Sequence, residues 1–327
     1  VKIFGWQADF AGCAWYRILL PLAALREQGE HTRFGNTLKE EFWDYDVVIA
    51  QRTCLEGPTG IFQRMARSKG NRPKLVYEVD DDLLNLDQHN PSVEFFNNPQ
   101  IQANIIANLQ VADVVTVSTA PLAERLAQYN RNIHVVPNCI PAALLDWQHG
   151  YHVDRITVGW QGSATHTGDW ARAANPIGRW FNQARQQGVP VEFHTVGSTP
   201  PSFPSVHPHR RTDWVGHDRF YHLLDWHFAV APLAPTVFNT SKSDLRCLEA
   251  NALGFPVVAS DVVAYRESVQ HGKTGFLVSD PKQWDKHLWT LTKSPQLRDE
   301  MAQAGREWAA TRTVEGNAWR WLKAYQS

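Results

Sequence analysis

Asn239-Thr-Ser-Lys-Ser-Asp-Leu-Arg-Cys-Leu-Glu-Ala-Asn-Ala-Leu-Gly-Phe-Pro-Val-Val-Ala-Ser260 is the stretch on which the fold turns. A polar loop runs into an amphipathic helix, a glycine stops it, and an apolar strand follows. Ser243 or Ser241 is placed to cap the helix, Gly254 to end it, and Pro256 to keep it from resuming. At helical spacing Leu245, Leu248, Glu249 and Ala252 fall on one stripe, so a carboxylate lies on the face that packs inward. An unpaired buried carboxylate costs roughly several kcal/mol, and Glu249 therefore requires a partner. Lys242 stands just ahead of the first turn, where free backbone N–H groups and the helix dipole favour an anion. The pattern is an anion cradle followed two turns later by a carboxylate suited to hydroxyl groups.

Outward from this segment, apolar runs that stop at polar or glycine-rich breaks recur along the chain. In the first half they are Val1–Trp6, Asp46–Gln51, Lys74–Val79, Ala112–Ser118 and Ile133–Pro137. In the second they are Ile156–Trp160, Val191–Gly197, Phe228–Pro232 and Pro256–Ser260. Helical patterns intervene at Trp15–Gln28, Ile101–Gln110, Pro121–Gln128 and Trp170–Gln187. Strands alternating with helices imply an α/β chain with parallel sheets covered on both faces. Two such series in tandem predict two Rossmann-like domains facing across a cleft. The periodicity lapses near Leu144–Asp154, which divides the chain into residues 1–148, residues 149–312 and a last helix within 313–327 that crosses back to the first domain.

The bulk properties exclude little and support this division. The chain has 327 residues, 43% hydrophobic and 20% charged, enough for two cores. Lys plus Arg number 32 against 33 Asp plus Glu, a net charge of −1, so total charge selects no polyanionic partner. Cys13, Cys54, Cys139 and Cys247 show no C-x-x-C spacing, which gives no zinc site or disulfide framework and suits a reducing cytoplasm. No apolar run reaches a membrane-spanning length and no signal peptide precedes the first strand, so a cytoplasmic protein without membrane insertion is expected.

Ligands of open α/β sheets bind outside the carboxyl ends of the strands. Four loops there carry chemistry. Gly5–Arg17 lacks G-x-G-x-x-G, which disfavours a dinucleotide-dependent dehydrogenase, although Gly12 lets backbone N–H groups approach an anion and Arg17 sits one turn further on. Gln51–Cys54 offers Arg52. Asp80-Asp81-Asp82 reads as a helix cap with solvated charge, as an orienting or basic group for a hydroxyl, or as part of a metal site that lacks enough oxygen ligands. Gln161–Asp169 is a small polar nest with His166 at its rim. Trp160 and Trp214 lie near strand ends, where they are placed either in a core or against a sugar or base. Two basic runs, Arg64–Lys74 and His207–Arg211, are solvated surface or, if aligned in one groove, a track for a nucleic-acid backbone.

The segment Glu249–Ser260, with Tyr265-Arg-Glu267 and Gly272–Val278, is similar to the donor domain of family-4-like retaining glycosyltransferases of the GT-B fold, and Val135-Val-Pro-Asn138 resembles the end of their first domain. Gly12–Arg17, Tyr77–Asp82, Gly162–His166 and Asn239–Ser243 more closely resemble bacteriophage-type glycosyltransferases. The resemblance implies that Glu249 holds the ribose of a nucleoside diphosphate sugar. Lys242 and the N–H groups around Ser243 would neutralise the diphosphate, together with Gly162, Ser163, Thr165 and His166 and, from the first domain, Gly12 and Arg17. Ser241 occupies the place of a family glutamate that touches the donor sugar, which leaves the sugar open. The expected catalytic set is Lys242, His166, Arg17 and Asp81. Asp80, Arg52, Arg67 and Lys69 are expected at the acceptor, and no metal or other cofactor is expected. The implied acceptor is a hydroxyl, of a hydroxymethylated base in DNA or else of a protein or glycan. A nucleotide-sugar epimerase on the same fold and a non-catalytic nucleotide- or nucleic-acid-binding protein are the alternatives.

Overall fold

The computed structural model describes residues 1–148, 150, 152–199 and 208–327. Two six-stranded sheets, parallel throughout, account for the chain's alternation. The first contains β1 (Lys2–Trp6), β2 (His31–Gly35), β3 (Val47–Gln51), β4 (Lys74–Val79), β5 (Val114–Val117) and β6 (Ile133–Val135), in the order β2-β1-β3-β4-β5-β6. The second contains β7 (Ile156–Gly162), β8 (Val191–Gly197), β9 (His209–Thr212), β10 (Phe228–Ala231), β11 (Val257–Ser260) and β12 (Gly275–Val278), in the order β12-β11-β10-β7-β8-β9. This is the predicted α/β GT-B architecture.

The nine runs expected as strands are all present, and β2, β9 and β12 are added to them. All three additions are edge strands. An edge strand is covered on fewer sides, so its sequence need not be continuously apolar. His209-Arg-Arg-Thr212 shows why it reads as a basic surface run: Arg210 is spent on Asp225 (2.6 Å) and Glu192 (3.2 Å) beside the strand. His207, the first residue of that run, lies outside the described residues.

Each sheet is covered by helices on both faces. The last helix, Val314–Gln326, buries Val314, Ala318, Trp321, Ala324 and Tyr325 in a core shared with Ile3, Ile18 and Leu22. It thus belongs structurally to the first domain, which it reaches through the pairing of Ile140 with Thr313.

Two local features position the site. Helix Leu245–Ala252 ends as expected at Gly254, whose φ of +76° is the left-handed conformation natural to glycine. Its N-cap is Asp244 rather than Ser243 or Ser241, and Asp244 directs its carboxylate at Arg312 (3.4 Å) instead of the helix N–H groups. The Asp244 carbonyl takes the Cys247 and Leu248 N–H groups, so the ones ahead of them on the first turn, of Leu245 and Arg246, are left for a ligand. In the first domain, the helix after β1 passes from an α turn (Gly12–Ala14) through a π-helical stretch (Trp15–Leu19) to an α-helix (Leu20–Glu27). Within the widened turn Tyr16 reaches across to the second domain while Arg17 turns into the first.

Candidate functional site

Strand order reverses between β1 and β3 in one sheet and between β7 and β10 in the other, and loops at these switch points form ligand crevices. Here the two crevices face each other and merge into one cleft of about 1160 Å³. From the second domain it is lined by Gly162, Ser163, Thr165, His166, Lys242, Ser243, Arg246 and Glu249, and from the first by Gly12, Tyr16, Arg52, Asp80 and Asp81. Most of the residues singled out from the sequence therefore converge.

On the second-domain wall Glu249 is buried and lies inward as its helical position predicts. It accepts a hydrogen bond from Gln161 Nε2 (2.6 Å) and a very short one from the Tyr16 hydroxyl of the opposite domain. Burial pushes its pKa up to about 7, although Tyr16, Arg246 and Gln161 all favour the anion. Arg246, one turn earlier, forms no ion pair among the described residues. Its guanidinium lies over the Trp160 ring (5.4 Å), and its buried Nη1 has no hydrogen-bond partner. Gly162 makes room for it: a Cβ there would meet Trp160 at 2.6 Å and Arg246 Nη2 at 3.1 Å. Trp160 itself is core, edge-on to Trp170, whereas Trp214 is 40% exposed and lines the cleft.

His166 Nδ1 is 2.7 Å from Asp169 Oδ2, and Asp169 Oδ1 accepts from Asn239 Nδ2 (2.7 Å) and the Ala234 N–H (3.1 Å). Burial, and next the nearby Arg246, push the His166 pKa down to about 4 despite the Asp169 carboxylate. The imidazole is therefore neutral at pH 7, with Nδ1–H donated to Asp169 and Nε2 left as an acceptor. His166 lines the cleft with Ser163, Thr165, Lys242 and Arg246 while Asp169 holds its Nδ1.

The first-domain wall is differently made. Asp80, Asp81 and Asp82 diverge. Asp80 pairs with Arg52 (3.6 Å), Asp81 with Lys242 across the cleft (3.1 Å), and Asp82 with Arg125 (3.6 Å) and Asn85 (3.0 Å). Among the described residues no three His, Cys, Asp or Glu side chains gather as a metal site. Arg52 has the uncommon φ of +49° for a non-glycine residue and donates to Cys13 Sγ (2.7 Å), so its side chain is fixed by both backbone and partners. Gly12 lies against the His217 imidazole of the second domain.

Four expected residues lie elsewhere. Arg17 is 1% exposed, bonded to Glu78 (2.7 Å), the Val136 carbonyl (2.6 Å) and Asn138 (2.9 Å), and is absent from the cleft lining. The apolar covering from Trp321 and Tyr325, supplied by a helix some 300 residues away in sequence, holds it as a buried structural cation. Ser241 is fully buried with its hydroxyl unpartnered and its carbonyl taken by Thr119 Oγ1 (2.8 Å). Arg67 and Lys69 follow the helix Glu56–Arg67 down to the amino ends of the strands, where Arg72 binds Asp113 (2.6 Å) and Lys74 binds the Gln326 carbonyl (2.9 Å). That pole is opposite the cleft.

Sequence reasoning passed over Tyr16, Gln161 and Arg246. Arg246 was within reach, since it precedes Glu249 by one helical turn and thus shares its side of the helix. Tyr16 and Gln161 were legible only as neighbours of named residues, because Tyr16 meets Glu249 across the two domains and Gln161 meets it from a strand 88 residues away in sequence.

Residues 245–308 match the family model described as Glycosyl transferases group 1. The chain is 39% identical over 75 residues to the D-inositol 3-phosphate glycosyltransferase of Thermobispora bispora, covering 22% of this chain and 17% of that protein. With the corresponding enzyme of Jonesia denitrificans it shares 34% over 106 residues, covering 32% and 25%. The chain thus spans a quarter or less of the curated relatives it matches. Likeness over the full length is structural. Anabaena HepE in complex with UDP-glucose superposes with a TM-score of 0.68 at 13% identity, covering 98% of this chain and 99% of that one. Sucrose-phosphate synthase from Thermosynechococcus elongatus gives 0.63 at 14% identity, covering 100% and 98%. The chain has the two-domain GT-B fold, and the Arg246–Glu249 helix lies in the part of it that matches group 1 glycosyl transferases.

Proposed function

We propose that the cleft transfers a glycosyl group from a nucleoside diphosphate sugar to a hydroxyl acceptor, with retention at the anomeric carbon and without a metal ion. The observation that carries this is Arg246, a half-buried guanidinium that has no ion pair among the described residues and whose buried Nη1 has no hydrogen-bond partner, on the first turn of the helix that bears Glu249 and in the same cleft wall as Lys242. A diphosphate completes this arrangement: two cations and free N–H groups meet its charge, and Glu249 receives the ribose hydroxyls. Charge on the bridging oxygen grows as the sugar departs, so these groups favour the transition state over the bound donor. They supply the stabilisation that a divalent ion would otherwise give.

The other residues take roles that follow from their partners. Lys242 is held by Asp81 across the cleft, and an arriving diphosphate competes with that carboxylate. His166, neutral and oriented by Asp169, accepts a hydroxyl of the sugar or acceptor. The departing phosphate takes the acceptor proton, as the resemblance implies. UDP is the first nucleotide to test, since HepE is seen in complex with UDP and with UDP-glucose. The four free cysteines accord with a reducing cytoplasm.

Hydroxymethylated DNA as acceptor draws no support from the basic run at residues 64–74, because Arg72 and Lys74 lie at the pole opposite the cleft. Thermal stabilisation by a panel of nucleotide sugars, followed by donor hydrolysis and by transfer to DNA, protein and glycan acceptors, tests the proposal. Stabilisation with slow hydrolysis of the same donor is expected. Binding of no nucleotide sugar overturns it, and interconversion of the free donor sugar would make the protein an epimerase.

A further inference from the structure

The cleft has a second, apolar end that the donor does not explain. Its first-domain lip exposes Leu55 (54%) and Phe95 (44%), and between them the wall continues through Pro58, Leu83, Leu86 and Phe96. Phe96 packs on the core beneath and meets Phe95 edge-on, with ring centroids 5.0 Å apart. The Arg52 guanidinium lies 5.8 Å from the Phe96 ring centre, so this cation is turned to an aromatic face and to Asp80. Single exposed apolar residues are ordinary, but two flanking an apolar wall inside a substrate cleft mark a binding surface. The volume of about 1160 Å³ exceeds the roughly 300–1,000 Å³ of a site for one small ligand.

We infer that this shelf binds the acceptor through an aromatic ring, placing the ring's hydroxyl-bearing substituent toward Asp81 and His166. This rests on the proposed glycosyl transfer and names the acceptor's chemical class. A half-exposed phenyl ring set edge-on to a second ring suits a planar partner, which gains stacking beyond the area it buries. A polyanionic strand finds no free cation on this surface among the described residues, since Arg52 is committed to Asp80 and Cys13.

The test is binding of 4-nitrophenyl, octyl and methyl glucosides to the full chain, by saturation-transfer NMR and calorimetry, with and without UDP. The aryl glucoside should bind at least about tenfold tighter than the methyl glucoside. Phe95→Ala should abolish that preference, and Phe95→Leu, which keeps an apolar side chain without a ring, should abolish most of it in a protein of unchanged melting temperature. Equal affinity of the aryl and methyl glucosides, or no binding of either, overturns the inference. Tightest binding by the octyl glucoside also overturns it and makes the shelf an alkyl groove. Donor hydrolysis in the same preparation reports separately on glycosyl transfer, so the two failures are distinguishable.

Discussion

The two walls of the cleft handle charge in opposite ways. In the first domain the cations at and behind the cleft wall are neutralised within that domain, Arg52 by Asp80 and Arg17 by Glu78. In the second domain Arg246 has no ionic partner among the described residues, and Lys242 finds one only by reaching across to Asp81. A self-neutralised wall orders its own side chains, while a wall with surplus positive charge at an open helix terminus is built to receive an anion from outside. The contrast separates the structural cations of this protein from its binding ones.

Arg17 offers the sharpest way to break that contrast. If it is structural, Arg17→Met strands the buried Glu78 carboxylate and should cost about 3–5 kcal/mol of stability, measured by chemical denaturation. Burial already holds the Glu78 pKa up. Without Arg17 it rises further, and because the folded state then keeps a proton the unfolded state releases, the deficit shrinks as pH falls. A stable Arg17→Met protein with lost turnover would instead return Arg17 to the reaction. On the opposite wall, Lys242→Ala should reduce turnover by about 10²–10³-fold, more than it weakens the bound donor. A raised KM with normal turnover contradicts a role on the leaving group.

Glu249 gives a smaller and pH-dependent effect. Glu249→Gln should weaken nucleotide binding by about 1–3 kcal/mol. Because the wild-type carboxyl titrates near 7, raised by burial, it is ionised above that pH and protonated below. Nucleotide affinity should therefore climb as pH passes upward through about 7, with proton release on binding, and Glu249→Gln should flatten the profile. The same shift has the opposite sign for folding: stability falls as pH rises from the ordinary glutamate range to about 7, because the unfolded state ionises first. The smallest expected effect is that of EDTA, which should leave turnover unchanged. Loss of activity restored only by Mg²⁺ or Mn²⁺ would give Asp80 and Asp81 a metal and undo the division between the walls.

The fold was legible wherever strands are covered on both faces, as with Lys74–Val79 and Val191–Gly197, whose bounds the apolar runs match. It was illegible at the edges, where β2 exposes His31, Arg33 and Phe34 and β9 carries Arg210 paired with Glu192 of the neighbouring strand. The donor side was legible because its chemistry is local: the loop, the first turn and the carboxylate lie within eleven residues of one another in sequence, from Asn239 to Glu249. The first-domain wall was not, because the state of each residue there is set by a distant partner. Arg17 was misplaced for that reason, its surroundings coming from Glu78 and Trp321. Tyr16 was missed likewise, since its partner Glu249 lies on the other domain.

The central claim is that the anion site of this protein belongs to the second domain and is completed by Arg246. Calorimetric titration of UDP and of uridine into the wild-type chain and into Arg246→Ala measures it directly. Wild type should prefer UDP over uridine by at least about 10²-fold, the worth of two charge-assisted contacts. Arg246→Ala should lose most of that preference while holding uridine as before. A UDP preference undiminished in Arg246→Ala, or its absence from the wild type, would contradict the account.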